Sequence, residues 1–211
     1  MTRFWIGIAV TASVFLVIGD RHDPFMWAYF ALFAGVGLYA LLSIDDDLAR
    51  ERFSPPNSGA DGLSLRNIRL LAAAHLIAGL LDSRYKWTTV PDIWRLVGLA
   101  GFALGFLLIV QAMKSNRFFS SVVRIQDDRG HKVVDQGPYS WVRHPGYAGM
   151  MPAIPFGGLA MGSWIAVVVG LLYTALILRR VCFEDAFLQN NLEGYKAYAG
   201  RVPYRLVPGI W

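Results

Sequence analysis

Six long apolar segments, separated by short polar stretches, constrain this chain more than any other feature. They are residues 4–19, 24–44, 68–81, 93–113, 145–160 and 164–178. A helix needs about 20 apolar residues to cross the hydrocarbon core of a bilayer, and about 17 suffice at the short end. A content of 55% hydrophobic and 17% charged residues also fits a membrane protein. The sequence therefore predicts an all-α fold, a polytopic membrane helical bundle with about five to six transmembrane segments.

The lengths of the segments predict how they pair. Only the second and the fourth are comfortably long enough to cross, and the third is short. The last two are interrupted at Gly157-Gly158 and separated by Met161-Gly162-Ser163. We expect these two to form a helix-turn-helix hairpin, and whether it reaches the far surface stays open. The first segment lacks a small-residue cleavage site and runs directly into the second, which favours a retained hairpin over a signal peptide.

The distribution of basic residues predicts the orientation. With the N-terminus inside, all but four of the 20 Lys and Arg residues fall on the inner side. The four on the other side are Arg21, Arg84, Lys86 and Arg95. This asymmetry predicts that both termini face the cytoplasm. Because the basic residues lie between apolar segments and not in one patch, no nucleic-acid partner is expected.

One polar and aromatic stretch, residues 137–149, stands out between the apolar segments. Gly137-Pro138 indicates a turn, and Pro145 suits the first position of a helix, where a missing N–H has no cost. His144 then lies at the helix cap, where free N–H groups favour an anionic or electron-rich ligand group. The charge distribution places this stretch on the cytoplasmic side. Flat aromatic faces accompany it at Tyr139, Trp141 and Tyr147.

Several common kinds of site are not predicted. The sequence contains no glycine-rich nucleotide fingerprint, no phosphate loop and no serine nucleophile elbow. The four histidines do not fall at metal-ligand spacing, so no metal site is expected. The single cysteine, Cys182, excludes an intrachain disulfide, and its apolar surroundings predict a buried, inert thiol. Residues 45–65, which contain three adjacent aspartates, are interpreted as a solvated polar loop.

Two polar features near the C-terminus allow more than one interpretation. Arg180 and Glu184 are four residues apart and share one face of a helix. They are either a solvated ion pair at a helix end or part of a site, and their spacing alone leaves both open. The tail around Tyr195 and Tyr198 is amphipathic, and its simplest interpretation is docking on the membrane surface. In the fourth segment, Gly98, Gly101 and Gly105 form a face of small residues that predicts close helix packing.

Together these residues resemble the isoprenylcysteine carboxyl methyltransferase family of integral membrane proteins, whose wider relatives include phospholipid methyltransferases. The resemblance covers roughly residue 115 to the C-terminus. It is carried by Gly137-Pro138-Tyr139, Arg143-His144-Pro145-Gly146-Tyr147-Ala148-Gly149, Glu184-Asp185 with Leu188, and Tyr195-Lys196-Ala197-Tyr198. It implies an S-adenosylmethionine-dependent methyltransferase acting on a lipophilic acceptor that enters from the bilayer. It also implies two regions in one membrane domain, N-terminal transmembrane helices at 1–113 and a cofactor-binding and catalytic region at 114–211.

The resemblance also implies roles for individual residues. Arg180 would be the catalytic residue that binds the substrate and orients an anionic group of the methyl acceptor. Glu184 would bind a polar or cationic part of the cofactor. The remaining cofactor-binding residues would be His131, Lys132, Val133, Val134, Tyr139, His144, Pro145, Gly146 and Tyr147. Two departures stand out: the family often has two glutamates at Glu184-Asp185, and Arg124 stands where eukaryotic members have a glutamine that contacts the cofactor.

The sequence leaves alternatives open for the methyl acceptor and for the class of reaction. An arginine beside the acceptor favours a carboxylate, as in isoprenylcysteine O-methylation, whereas an amine would favour an acid or an aromatic face. Phospholipid N-methylation therefore remains an alternative. A second is an NADPH-dependent sterol-type reductase, in which Lys132, Arg179 and Arg180 would hold phosphate. A third is a non-enzymatic membrane protein. The sequence leaves the oligomeric state open.

Overall fold

The structure, a computed structural model, describes residues 2–55 and 59–211. Within these ranges the chain forms helices joined by loops and contains no β-strand. The α-helices are α1 (Thr2–Ile18), α2 (Pro24–Ser43), α3 (Asp46–Phe53), α4 (Gly62–Tyr85), α5 (Asp92–Ser115), α6 (Pro145–Ala160), α7 (Trp164–Asn191) and α8 (Tyr195–Arg201). The predicted all-α membrane bundle is confirmed.

Four helices are long and apolar enough to cross a membrane, namely α2, α4, α5 and α7. Helix α4 has 24 residues and α7 has 28, so both are longer than their apolar segments. The expectation that these two segments are short was wrong because their polar ends, at Asp82 and at Arg180 to Asn191, continue the helix. Helices α1 and α6, with 17 and 16 residues, are shorter than a comfortable crossing.

Helices α6 and α7 form the predicted hairpin around a tight turn at 161–163. The side-chain hydroxyl of Ser163 caps α7 by accepting from the amide of Ala166 at 2.9 Å. Pro155 lies inside α6 and has no N–H for the carbonyl of Met151. The hydroxyl of Thr174 on α7 donates to that carbonyl at 2.9 Å. A neighbouring helix thus satisfies the backbone group that the proline leaves free, as buried segments in a bilayer require.

The small-residue face of α5 packs against α6, as predicted. A side chain at Gly105 would place its Cβ 2.7 Å from the carbonyl oxygen of Gly149 and 2.8 Å from Ala153. Gly98 and Gly101 approach Ala160 and Phe156 equally closely. These glycines let the two backbones come together and fix the start of α6 beside the end of α5.

The two ends of the bundle differ in their polar contacts. At one end, Asp23 pairs with Arg95 at 2.5 Å, and buried Asp82 accepts from Thr88 and Ser163. The N-terminus of α4 and the C-terminus of α5 lie at the other end, as do the start of α6 and the end of α7. The residues predicted to form a site lie at this second end.

Part of the predicted polar loop is a helix at this second end. Asp45 caps α3 by accepting from the amide of Leu48 at 2.7 Å, which accounts for the first of the three adjacent aspartates. The interpretation of 45–65 as a solvated loop was therefore wrong for Asp46–Phe53, and also for residues 62–65, which begin α4. Residues 56–58 of that stretch lie outside the described residues.

Candidate active site

A cavity of about 380 Å³ opens at the second end of the bundle. It is bordered by α3, α4, α6, α7, α8 and the long connection between α5 and α6. Ten of the sequence-predicted site residues line it: His131, Lys132, Val133, Val134, Tyr139, His144, Gly146, Tyr147, Arg180 and Glu184. Pro145, the first residue of α6, is fully buried and does not line the cavity. Residues such as Leu65 and Ile68 of α4 also border it, so both halves of the chain contribute.

One face of α7 forms the long wall of the cavity. Tyr173, Ile177, Arg180, Glu184 and Leu188 follow one another at spacings of three or four residues and all line it. At 1.5 Å per residue this face is about 22 Å long. Its deeper part is apolar, and its outer part carries the two charged residues. The cavity therefore has an apolar section next to a polar one.

The turn before α6 has the geometry that the sequence predicts. Pro145 begins the helix and His144 is its N-cap residue. The amides of Gly146 and Tyr147 at this end have no intrahelical acceptor, since the first internal bond runs from Ala148 to the carbonyl of His144. Both residues line the cavity, so a helix N-terminus with free donors borders it.

Glu184 lies beside this helix start. Its Oε2 accepts from the phenol of Tyr147 at 2.6 Å, and its Oε1 is 4.0 Å from Nδ1 of His144. The side chain keeps 23% of its surface exposed. A carboxylate that is oriented by a tyrosine and still accessible is suited to bind a cationic group.

Arg180 is not a solvated partner of Glu184. It is only 5% exposed, and its Nη2 lies 3.0 Å from Oδ2 of Asp61 and 2.8 Å from the carbonyl oxygen of Ser121. Its Nε has no hydrogen-bond partner among the described residues. The structure therefore contradicts the solvated ion pair. The buried partner of Arg180 is Asp61, a residue of the predicted polar loop that nothing in the sequence marks for this role.

Asp185, one residue further along, connects the turn before α6 to the C-terminal tail. It is fully buried and accepts two hydrogen bonds from Arg143, at 2.7 and 3.0 Å. Nε2 of His144 lies 3.1 Å from its Oδ1, so this nitrogen carries the proton, since an ionised carboxylate can only accept. Arg205 donates from the tail at 3.0 Å. Asp185 is a structural centre of the site and does not line the cavity.

Replacing Asp185 with asparagine should destabilise the protein strongly. The amide nitrogen cannot accept, so at least one buried arginine loses its acceptor, and breaking a buried ion pair costs about 3–5 kcal/mol. We expect a clearly lower midpoint of thermal unfolding in detergent. Asp135→Asn is the matched control, because Asp135 pairs with Arg201 where both side chains are half exposed, and such pairs are worth less than about 1 kcal/mol. Equal midpoints for the two variants would contradict the role of Asp185.

The tail packs into the protein instead of lying on a membrane surface. Tyr195 and Tyr198 are 5% and 1% exposed, and both line the cavity. The phenol of Tyr198 donates to the carbonyl oxygen of Tyr139 at 2.7 Å. The docking interpretation was therefore wrong, because these two aromatic side chains point into the cavity wall. The expectation that Cys182 is buried was also wrong, since its side chain is exposed.

His131 begins the strip of residues that runs to Val134 along the cavity. Its Nδ1 accepts from the amide of Gln126 at 3.3 Å, and its ring lies 4.6 Å from that of Phe118. Burial, together with the positive charge of Arg124, lowers the pKa of His131 to about 4. The imidazole is therefore neutral near pH 7 and presents its other nitrogen as a donor.

Arg124, which stands where the resemblance places a glutamine, lines the cavity and is held by two ion pairs. Its Nη2 lies 2.7 Å from Oε2 of Glu51 and its Nη1 lies 2.8 Å from Oδ1 of Asp128. The guanidinium therefore ties α3 to the connection between α5 and α6. Nearby Gln126 is also occupied, because its side chain donates to the carbonyl oxygen of Phe118 at 2.7 Å.

Comparison with known proteins points to one family. The model of the isoprenylcysteine carboxyl methyltransferase family matches residues 96–190. The protein-S-isoprenylcysteine O-methyltransferase of Schizosaccharomyces pombe is 28% identical over 109 residues, which cover 48% of this chain and 46% of that protein. A probable protein-S-isoprenylcysteine O-methyltransferase of Oryza sativa subsp. japonica is 28% identical over 151 residues, covering 69% of this chain and 79% of that protein. The chain thus matches less than half of the yeast relative and most of the rice one.

The fold has a solved counterpart. The structure of the eukaryotic intramembrane Ras methyltransferase, an isoprenylcysteine carboxyl methyltransferase, superposes with a TM-score of 0.64 at 18% identity. The match covers 96% of this chain and 74% of the other. The family model begins within α5, upstream of the residues that carry the resemblance in the sequence, and ends at the last turn of α7.

Proposed function

We propose that this chain, whose residues 96–190 match the model of the isoprenylcysteine carboxyl methyltransferase family, transfers a methyl group from S-adenosylmethionine to a lipophilic carboxylate. The observation that carries this proposal is the placing of Glu184 and Arg180 one turn apart on the cavity face of α7. Glu184 lies beside the start of α6, and Arg180 lies toward the apolar section. One cavity thus offers a carboxylate that can bind a cationic group next to a guanidinium that can bind an anionic group.

The lining residues suit S-adenosylmethionine. The free amides of Gly146 and Tyr147 suit a carboxylate, and Glu184 suits a cation. Apolar side chains for a flat ring come from Val133, Leu188 and Leu192. We therefore assign cofactor binding to this outer section, with His131, Lys132, Val134, Tyr139 and His144 completing it.

The proposed reaction needs positioning more than proton transfer. When bound, S-adenosylmethionine supplies a sulfonium methyl group that an acceptor oxygen can take in one in-line displacement, which breaks the S–CH₃ bond and forms an O–CH₃ bond. An acceptor carboxylate is ionised near pH 7, so no residue has to remove a proton. Arg180 then has the role of orienting the carboxylate, and alignment of this kind can supply several kcal/mol. The apolar walls at Ile68 and Ile177 keep water away.

The topology supports a membrane route for the acceptor. The apolar section of the cavity lies between α4 and α7, two helices long enough to span the bilayer. A hydrophobic chain that enters from the bilayer would occupy this section while its polar end stays near Arg180. The excess of basic residues at this end supports a cytoplasmic site with both termini on the same side.

The basic residues on which the reductase alternative depends do not form one cluster. Arg179 is exposed and does not line the cavity that Lys132 and Arg180 line. The three basic residues that were expected to hold a phosphate group therefore do not converge.

A transfer assay tests the proposal. Purified protein in phosphatidylcholine vesicles receives S-adenosylmethionine with a labelled methyl group and one of two acceptors, N-acetyl-S-farnesyl-cysteine or phosphatidylethanolamine. We expect label in the first acceptor only, as an ester that dilute base releases. Label in the amine lipid alone, or in neither acceptor, would overturn the proposal.

A further inference from the structure

The cavity carries more positive charge next to its apolar section than the acids there balance. Three arginines line the cavity around this section, Arg52 from α3, Arg69 from α4 and Arg180 from α7. Among the described residues, Asp61 forms the one ion pair with any of the three, at 3.0 Å from Arg180. Two guanidinium groups at this end therefore have no carboxylate partner in the described chain.

Arg52 is the more enclosed of these two. Its side chain is partly buried, whereas that of Arg69 is exposed. Its contacts are weak: Nη1 lies 3.3 Å from the carbonyl oxygen of Ser120, and the guanidinium lies 5.1 Å from the ring centre of Phe119. The carboxylate next to it in sequence is occupied, because Glu51 accepts from Arg124 at 2.7 and 3.1 Å and from Ser120 at 2.6 Å.

The position of Arg52 is fixed by the rest of α3. Besides the pair between Glu51 and Arg124, Asp47 holds Nη2 of Arg129 at 2.6 Å. These contacts anchor the acidic side of α3 to the connection between α5 and α6. With α3 held in this way, Arg52 lines the cavity.

The surroundings of Arg52 disfavour its charge. Burial and the neighbouring guanidinium of Arg180 lower its pKa below the usual arginine value. The guanidinium of Arg180 lies 6.0 Å from the ring centre of Tyr147, and Arg52 and Tyr173 line the same cavity. The guanidinium groups of Arg52 and Arg180 therefore border one region of the cavity. An anion bound there would offset the free-energy cost of burying two positive charges.

We propose that Arg52 is a second substrate-positioning arginine that binds the acceptor's carboxylate together with Arg180, so that the enzyme accepts anionic lipids and rejects amines. This inference rests on the proposed methyl transfer and adds the residue that selects the charge of the acceptor. The apolar walls at Leu65, Ile68 and Ile177 fit a hydrophobic chain that ends in one anionic group.

The role predicts a particular kinetic effect. The acceptor oxygen loses its negative charge as the O–CH₃ bond forms, so a cation that binds it favours the bound substrate at least as much as the transition state. Loss of Arg52 should therefore raise KM much more than it lowers kcat. A purely structural role in holding α3 would instead weaken cofactor binding or folding.

The test compares Arg52→Met with Arg50→Met, an equal change on the exposed side of the same helix. Methyl transfer to N-acetyl-S-farnesyl-cysteine is measured in phosphatidylcholine vesicles, and the carboxamide of the same compound is titrated as a competitive inhibitor. We expect Arg52→Met to raise KM at least about tenfold while leaving the inhibition constant of the uncharged carboxamide within about twofold. Arg52→Lys should recover part of the loss, and Arg50→Met should behave as the unmodified protein.

Each outcome separates this inference from the proposed function. If Arg52→Met retains the KM of the unmodified protein, or weakens the acid and the carboxamide equally, the inference is overturned while the methyl transfer stands. If the effect appears only when phosphatidylglycerol is added, Arg52 binds a lipid phosphate and the inference is again overturned. Lack of transfer to any acceptor by the unmodified protein overturns the proposed function itself. S-adenosylhomocysteine binding that survives in Arg52→Met shows that the cofactor section is intact, as the inference expects.

Discussion

Replacing Glu184 with glutamine should weaken binding of S-adenosylhomocysteine by about 10- to 100-fold. The change keeps the size of the side chain and removes the charge that we assign to a cationic group of the cofactor, and a hydrogen bond to a charged group is worth about 1.5–3 kcal/mol. Isothermal titration of detergent-solubilised protein measures the loss directly.

Glu193→Gln provides the matched control for this prediction. Glu193 lies two residues beyond α7, is exposed and does not line the cavity. Its variant should bind S-adenosylhomocysteine like the unmodified protein. Tyr147→Phe, which removes the hydroxyl that donates to Glu184, should have an intermediate effect. Full affinity in Glu184→Gln would show that the cofactor section is misassigned.

Replacing Arg180 with methionine should spare cofactor binding and lower kcat/KM for methyl transfer by about 30-fold or more. Truncating one partner of a buried charge pair costs about 2–5 kcal/mol. Here the cost combines the lost orientation of the acceptor with the unpaired charge left on Asp61, which is 3.0 Å from Arg180. Transfer kinetics and titration with S-adenosylhomocysteine, run on the same sample, separate the two sections of the cavity.

Two further variants distinguish catalysis from folding. In Arg180→Met with Asp61→Asn, the unpaired carboxylate is gone, so thermal stability should recover while transfer stays impaired. Arg179→Met removes a neighbouring arginine that is exposed and does not line the cavity, and it should be nearly neutral. If the double variant regains transfer, Arg180 acts only through Asp61 and does not touch the acceptor.

The sequence predicted the helical bundle because long apolar segments have few alternatives in a bilayer. It also predicted the start of α6, since Pro145 and His144 define a helix N-terminus through local geometry alone. The packing of α5 against α6 followed from the same kind of local signal, small residues repeated along one helical face.

Long-range polar contacts were beyond prediction. The pair between Arg180 and Asp61 joins residues 119 positions apart, and nothing near Asp61 in the sequence marks it as the partner of a buried arginine. In the sequence, Asp185 is notable only as a departure from the family's usual glutamate. In the structure it contacts Arg143 and His144 before α6 and Arg205 in the C-terminal tail. Burial of Tyr195 and Tyr198 depends on the same fold-level contacts, which amphipathic spacing does not encode.

The central claim is that the cavity beside Glu184 binds S-adenosylmethionine. Calorimetric titration of the detergent-solubilised protein with S-adenosylhomocysteine, with NADPH as the parallel titrant, tests it most directly. We predict saturable binding of S-adenosylhomocysteine at one site per chain and no binding of NADPH. Binding of NADPH alone, or of neither compound to protein shown to be folded, would contradict the account.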